Sequence, residues 1–216
     1  MCDSEASSRE HAPPLCLFPE GKDMGDGNDY RKNLITVPAC DEHNLEKSDD
    51  DEYLHLLVIH GYFNNPLAKK QFKTKLTRAF SRKPALLAAL HCDNTSVLVD
   101  GVETRAVTIE RERFESSIDM LVRALYFHIY GQRLAMPLRV HTPLLIDIEG
   151  ENADEVNEQV KKFCLAVRTH LDPKEAIGDN PDIFWFKIDH SENRNLVSCH
   201  IQFYGGFDIF VTANEK

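Results

Sequence analysis

The spacing of apolar residues predicts helices through the middle of the chain. The clearest case is a run at helical intervals that ends at Gly131, where a helix C-cap would lie: Phe114, Ile118, Leu121, Val122, Leu125 and Ile129. Residues 154–171 have the same amphipathic pattern, and residues 65–90 predict two helices that Pro84 separates. The middle of the chain is therefore predicted to be largely helical.

Shorter apolar and β-branched runs predict strands, most of them in the last third of the chain. They lie at residues 96–99, 105–109, 144–148, 183–188, 198–203 and 207–212. Asp100-Gly101 and Gly205-Gly206 would form the turns of two hairpins. Residues 61–216 therefore predict an α+β region, in which helices are followed by a small antiparallel sheet.

The first 60 residues have a different pattern. Residues 1–32 are rich in turn formers, residues 33–38 are a short β-prone run, and an acidic helix is predicted from Ser48 to about Val58. A loop-rich stretch buries little apolar surface, so it needs either a metal ion or close packing against later elements. We therefore expect residues 1–60 to form a module distinct from residues 61–216.

Composition indicates an ordinary soluble protein of the cytoplasm. The chain has 216 residues, 42% of them hydrophobic and 28% charged, with no apolar run long enough to span a bilayer and no features of a signal peptide. Most of its six scattered cysteines are expected to be free thiols. A net charge of −10 opposes general attraction to nucleic acid, so such contact would depend on a local basic run, which residues 69–83 provide.

Two short motifs carry the candidate chemistry: Arg9-Glu10-His11-Ala12-Pro13 and Cys40-Asp41-Glu42-His43-Asn44. Cys40 and His43 can face one tetrahedral zinc ion from a single turn, and the ion then needs ligands from a second turn. Cys2 is the preferred candidate, and its partner would fall three residues earlier, so we expect the natural chain to start slightly upstream. Cys16 as a substitute ligand, a three-ligand site and the absence of zinc remain open.

The order of these motifs resembles the HNH endonuclease superfamily. The resemblance is carried by Glu-His-x-x-Pro, then Asn33-Leu34, then Cys-x-x-His-Asn-x-x-Lys-Ser and an acidic Asp-Glu-Tyr helix. It is specific in about the first 55 residues, and two later stretches, residues 122–134 and 203–207, are similar to bacterial proteins that carry this module at the N-terminus. The resemblance implies a zinc-stapled ββα-metal module of treble-clef-like form, followed by the α+β region.

The resemblance also implies a role for each motif residue. His11 would be the general base, Glu10 and Asn44 would hold a catalytic Mg²⁺ or Mn²⁺ ion, and Asn33 would position the His11 ring. The structural zinc would be bound by Cys2, Cys40 and His43. Nucleic acid would be contacted by Arg9, Lys47, Lys69, Lys70 and Lys73. The sequence departs from the usual pattern in having glutamate rather than aspartate before the histidine, and asparagine as the last motif residue.

Together these features predict a metal-dependent endonuclease that hydrolyses phosphodiester bonds in DNA, in phage defence or a restriction-like system. A partner protein could direct it, and no membrane is involved. RNA as substrate is not separable from DNA at the level of sequence. The alternative is a non-catalytic, zinc-stabilised module that binds protein or nucleic acid.

Overall fold

The computed structural model describes residues 6–25, 27–40, 48–82, 96–99, 101–146 and 150–214. It confirms the predicted α+β class, with helices and antiparallel sheets. Among the helices described, none has the length and apolar character required to cross a membrane.

The N-terminal part begins with two strands that pair across a long connection. Strand β1 (Ser8–His11) is antiparallel to β2 (Thr36–Ala39), with Ser8 opposite Ala39 and His11 opposite Thr36. The next described element is helix α1 (Ser48–Ile59), whose start and end agree with the prediction. In the described residues of the connection between β1 and β2, the regular elements are short helical turns at Leu15–Leu17 and Gly21–Met24.

Helix α2 follows as one continuous helix in three segments, Pro66–Gln71, a π-helical Phe72–Leu76, and Thr77–Arg82. The Asn65 side chain caps its start by accepting hydrogen bonds from the backbone N–H groups of Leu67 and Ala68. The predicted break at Pro84 and the second helix beyond it lie outside the described residues.

A hairpin and a long helix come next. Strands β3 (Ser96–Val99) and β4 (Val102–Arg105) pair antiparallel, so the predicted second strand at 105–109 is wrong by three residues. The reason is that β4 starts directly after Gly101, as a two-residue turn requires. Helix α3 (Arg111–Tyr130) confirms the periodic pattern, and Gly131 caps it with a left-handed φ of 67°.

Five strands form the C-terminal sheet, in the order β5-β9-β8-β7-β6. They are β5 (Leu138–His141), β6 (Ile177–Asn180), β7 (Phe184–Ser191), β8 (Leu196–Phe203) and β9 (Phe207–Asn214). All neighbours in the sheet are antiparallel, and helix α4 (Ala153–Leu171) lies between β5 and β6 in the chain. The predicted strands at 183–188, 198–203 and 207–212 correspond to β7, β8 and β9.

The predicted strand at 144–148 is wrong at residues 144–146, which are in no strand, and its last two residues lie outside the described residues. The strand in this part of the chain is β5 instead. A turn at Thr142 takes up the backbone groups that a strand would need. The N–H of Leu144 bonds to the Thr142 hydroxyl, and the N–H of Leu145 bonds to the Thr142 carbonyl, both at 3.3 Å.

The sheet has one face in the main core and one face under α4. The main core joins residues from the whole chain, including Leu17 in the N-terminal connection, Tyr53 in α1, Phe114 in α3 and Ile201 in β8. Residues from both predicted parts of the chain therefore share one hydrophobic cluster. A smaller cluster lies under α4: Cys164, Val167, Leu171 and Phe210.

Candidate functional site

The β1–β2 pair carries three of the candidate residues at consecutive positions. Because strand side chains alternate between faces, Arg9 and His11 share one face and Glu10 lies on the other. Glu10 is opposite Val37, which is 5% exposed, so the Glu10 face is the one that turns toward the core. Glu10 and His11 are both half-buried and project to opposite sides of the strand.

Arg9 is fixed on the His11 face by the residue opposite the histidine. Its Nε donates to the Thr36 hydroxyl at 2.9 Å, and its Nη2 donates to the Thr36 carbonyl at 3.0 Å. A guanidinium has five N–H donors in a rigid fork, so these two bonds leave donors on an exposed side chain two residues from His11. The sequence motifs did not single out Thr36, whose role depends on the pairing of β1 with β2.

Asn33 lies close to the turn that follows His11. The Ala12 N–H donates to the Ile35 carbonyl at 3.0 Å, which extends the strand pairing by one bond beyond His11. Asn33 itself has a left-handed backbone with φ of 54°, a conformation that asparagine tolerates better than most residues. Asn33 and Pro13 line the same cavity of about 20 Å³. Asn33 is thus near the residues after His11, and its role in positioning the His11 ring stays a prediction.

The zinc and catalytic-ion sites are described only in part. Cys40 directly follows β2 and is half-buried. Glu10, a predicted ligand of the catalytic ion, is on β1. The remaining predicted metal ligands, and the predicted phosphate contact Lys47, lie outside the described residues: Cys2, His43 and Asn44. Within the described ranges, no three His, Cys, Asp or Glu side chains are grouped to hold a metal ion. The metal sites therefore stay predictions.

Cys16, the open alternative as a zinc ligand, packs against α1. Its thiol donates to the Asp51 carbonyl at 3.3 Å, and its own carbonyl accepts a hydrogen bond from Lys75 at 2.8 Å. Cys16 is therefore part of the contact between the N-terminal connection and helices α1 and α2.

The predicted basic path along α2 divides into two groups. Lys69 and Lys73 are exposed and four residues apart, so they share a face of the helix. The Lys70 ammonium donates to the Met24 carbonyl, and Arg78 forms an ion pair with Asp23 at 2.7 Å. Together with Lys75, whose pKa is lowered by burial, these cations hold the N-terminal connection against α2. Close packing, the second of the two expected stabilisers, is thus present here.

Helix α1 is held against α3 by contacts that the sequence did not indicate. Arg113 pairs with Asp50 at 2.6 Å, donates to the Asp49 carbonyl at 2.9 Å, and stacks its guanidinium over the Tyr53 ring at 4.4 Å. The Glu110 N–H also donates to the Tyr53 hydroxyl at 2.7 Å. These contacts fix the start of α1, next to the segment that contains Asn44.

A group of buried polar side chains, Tyr204, Gln71 and His55, lies where the N-terminal connection, α1, α2 and the sheet meet. The Tyr204 hydroxyl contacts the Leu17 carbonyl and the Gln71 side chain, and Gln71 donates to the Cys16 carbonyl at 3.4 Å. His55 is buried beside them, and burial lowers its pKa to about 3. Tyr204 belongs to the residues 203–207 that resemble bacterial HNH proteins, and its place in the fold is structural.

Comparisons of the chain with protein-family models, with curated proteins and with solved structures found no match.

Proposed function

We propose that the chain is a metal-dependent endonuclease of the HNH type that hydrolyses phosphodiester bonds in DNA, with His11 as the general base. The observation that carries the proposal is the order of the first elements. An antiparallel strand pair with His11 at the end of β1 is followed by helix α1, which is the ββα order that the HNH resemblance implies.

The proposed reaction begins with a water molecule beside His11. The imidazole takes a proton from this water, which attacks the scissile phosphorus, a task that histidine commonly performs as a general base. Arg9 shares the His11 face, so its remaining N–H donors would bind non-bridging phosphate oxygens. Thr36 would hold that guanidinium in place while charge develops on the phosphate.

Glu10 and Asn44 would hold the catalytic ion, which supplies charge stabilisation to the departing 3′ oxygen. An acidic and an amide oxygen are the ligand types that Mg²⁺ and Mn²⁺ accept. Glu10 is on the opposite side of β1 from His11, so the two groups would meet around the end of the strand, where the chain turns at Ala12 and Pro13.

Cys40, with Cys2 and His43, would bind the structural zinc. Cys40 fits this role because it is a half-buried cysteine that directly follows β2. Lys69 and Lys73, exposed on α2, would contact the DNA backbone together with Lys47, whereas Lys70 is engaged by the Met24 carbonyl. A chain of net charge −10 needs such a local surface or a directing partner protein, as in a phage-defence system.

The test is cleavage of supercoiled plasmid by the purified full chain. We expect nicking with Mg²⁺ or Mn²⁺, none after chelation by EDTA, and restoration when the metal is added back. Glu10→Ala and Asn44→Ala should each raise the metal concentration needed for half-maximal rate. Failure of the wild-type chain to cleave DNA or RNA with either metal would overturn the nuclease assignment.

A non-catalytic zinc-stabilised binding module is the second candidate, because Glu10 and His11 project to opposite faces of β1. In that case the chain would contain one equivalent of zinc by elemental analysis, lose helical structure on zinc removal, and show no cleavage under any of these conditions.

A further inference from the structure

The sheet has an open edge at β5. The strand is last in the sheet order and pairs only with β9 among the elements described. In an antiparallel pair, alternate residues turn their backbone N–H and C=O groups away from the partner strand. Within the part of the chain that the structure describes, no other backbone or side chain bonds to these outward groups of β5.

A groove of about 460 Å³ runs along this edge. One wall is formed by all four β5 residues, Leu138 to His141, whose side chains alternate between the two faces of the sheet. A groove that touches four consecutive strand residues must follow the strand edge rather than one face. The opposite wall is α3, through side chains on successive turns of one face: Arg111, Glu115, Ser116 and Asp119.

The charges in the groove leave one cation without a counterion. Glu115 is paired with Arg111 at 2.8 Å, and Asp119 is paired with Arg123 at 2.6 Å. Arg139 is exposed and has no ion pair or hydrogen bond with any residue of the described ranges. An occupant with a carboxylate beside Arg139 would complete the pairing.

The backbone N–H and C=O groups along β5 determine which backbone conformation a bound ligand must have. N–H and C=O groups spaced along a strand are matched by those of another extended chain, and a helix cannot offer such a row because its backbone groups bond within the helix. A second copy of β5 is disfavoured by charge. Side chains opposite each other in an antiparallel pair lie on the same face, so symmetric pairing centred on Arg139 would place two guanidinium groups opposite each other.

We propose that the β5 edge binds an extended peptide segment of a partner protein, which adds a sixth strand to the sheet and places an acidic side chain against Arg139. This site is separate from the proposed nuclease chemistry and does not depend on it. It would give the chain a means of being directed by another protein.

The test uses a random heptapeptide library displayed on phage and selected against the purified full chain. We expect enriched peptides to share one Asp or Glu flanked by β-branched residues. A synthetic peptide of the enriched sequence should lose at least tenfold in affinity for Arg139→Glu. The matched control Arg194→Glu, an exposed charge reversal in the turn between β7 and β8, should change affinity less than twofold.

A second readout separates strand addition from simple charge attraction. N-methylation of alternate peptide amides should abolish binding in one set of positions and be tolerated in the other, because only one set faces β5. The proposal is overturned if no peptide is enriched, if Arg139→Glu binds as well as wild type, or if methylation has no positional pattern. Sedimentation that shows wild-type dimers lost in Arg139→Glu would overturn it in favour of self-pairing.

Discussion

At the scale of single residues, the candidate site depends on a threonine that the motifs do not contain. His11 and Arg9 were identified from the sequence because histidine and arginine have recognised chemistry. Thr36 has no such signature, and it acquires its place only because β2 sets it opposite His11 and within hydrogen-bonding distance of Arg9. The pairing of two strands separated by residues 12–35 cannot be deduced from local pattern.

We expect Thr36→Val to weaken substrate binding and Thr36→Ser to retain it. Valine has the same shape but offers no acceptor to Arg9 Nε, and a hydrogen bond to a charged group contributes about 1.5 to 3 kcal/mol. KM for a labelled DNA duplex should therefore rise roughly tenfold or more in the valine variant. Equal KM values for the two variants would show that Thr36 does not position Arg9.

At the scale of elements, patterns with a complete local signal were predicted, whereas the short strands β4 and β5 were misplaced. Helix α3 combines a helical apolar repeat with a glycine cap, and β8 and β9 flank a two-glycine turn, so both were found. Strand β5 has only four residues, and the stronger apolar run after it forms a turn at Thr142. The edge groove at β5 was therefore not foreseeable from the sequence.

Asn65 links α2 to the sheet, and its two side-chain atoms have separate roles. The oxygen caps α2, and Nδ2 donates to the Asp182 carbonyl at 2.6 Å. Asn65→Asp keeps the oxygen that caps α2 but has no N–H to donate to the Asp182 carbonyl, so we expect the free energy of unfolding to fall by about 1 kcal/mol. Asn65→Ala removes both interactions and should lower it by about 2 kcal/mol. Urea denaturation checks this order, and an alanine variant as stable as wild type would contradict it.

At the scale of the whole molecule, one core and one buried polar group connect the N-terminal connection to the sheet. His55 lies in this group, and burial lowers its pKa to about 3, below the ordinary value of 6.5. Between these values the unfolded chain binds more protons than the folded chain. The contribution of His55 therefore lowers the free energy of unfolding as pH falls from 6.5 toward 3.

We expect wild-type stability to fall by about 1.5 kcal/mol between pH 6.5 and 5.0 through His55. His55→Leu should remove the His55 part of this dependence and leave the part from His60 and His141, whose pKa values burial also lowers. His128→Ala, an exposed histidine on α3, should leave the dependence unchanged. Urea denaturation at both pH values measures the difference. The carboxyl groups of Asp189 and Asp208 have lowered pKa values, so they change the free energy of unfolding at lower pH, outside this interval. A His55→Leu variant with the full wild-type dependence would contradict the assignment.

The central claim is that His11 is the general base of a phosphodiesterase, and single-turnover nicking of plasmid DNA tests it most directly. His11→Ala is compared with wild type and with His128→Ala, under saturating Mn²⁺ and with equal folded content by circular dichroism. General-base catalysis contributes roughly 10²- to 10⁴-fold, so His11→Ala should be slower by at least about 100-fold, with His128→Ala unchanged. Equal nicking rates for His11→Ala and wild type would remove His11 from the chemistry.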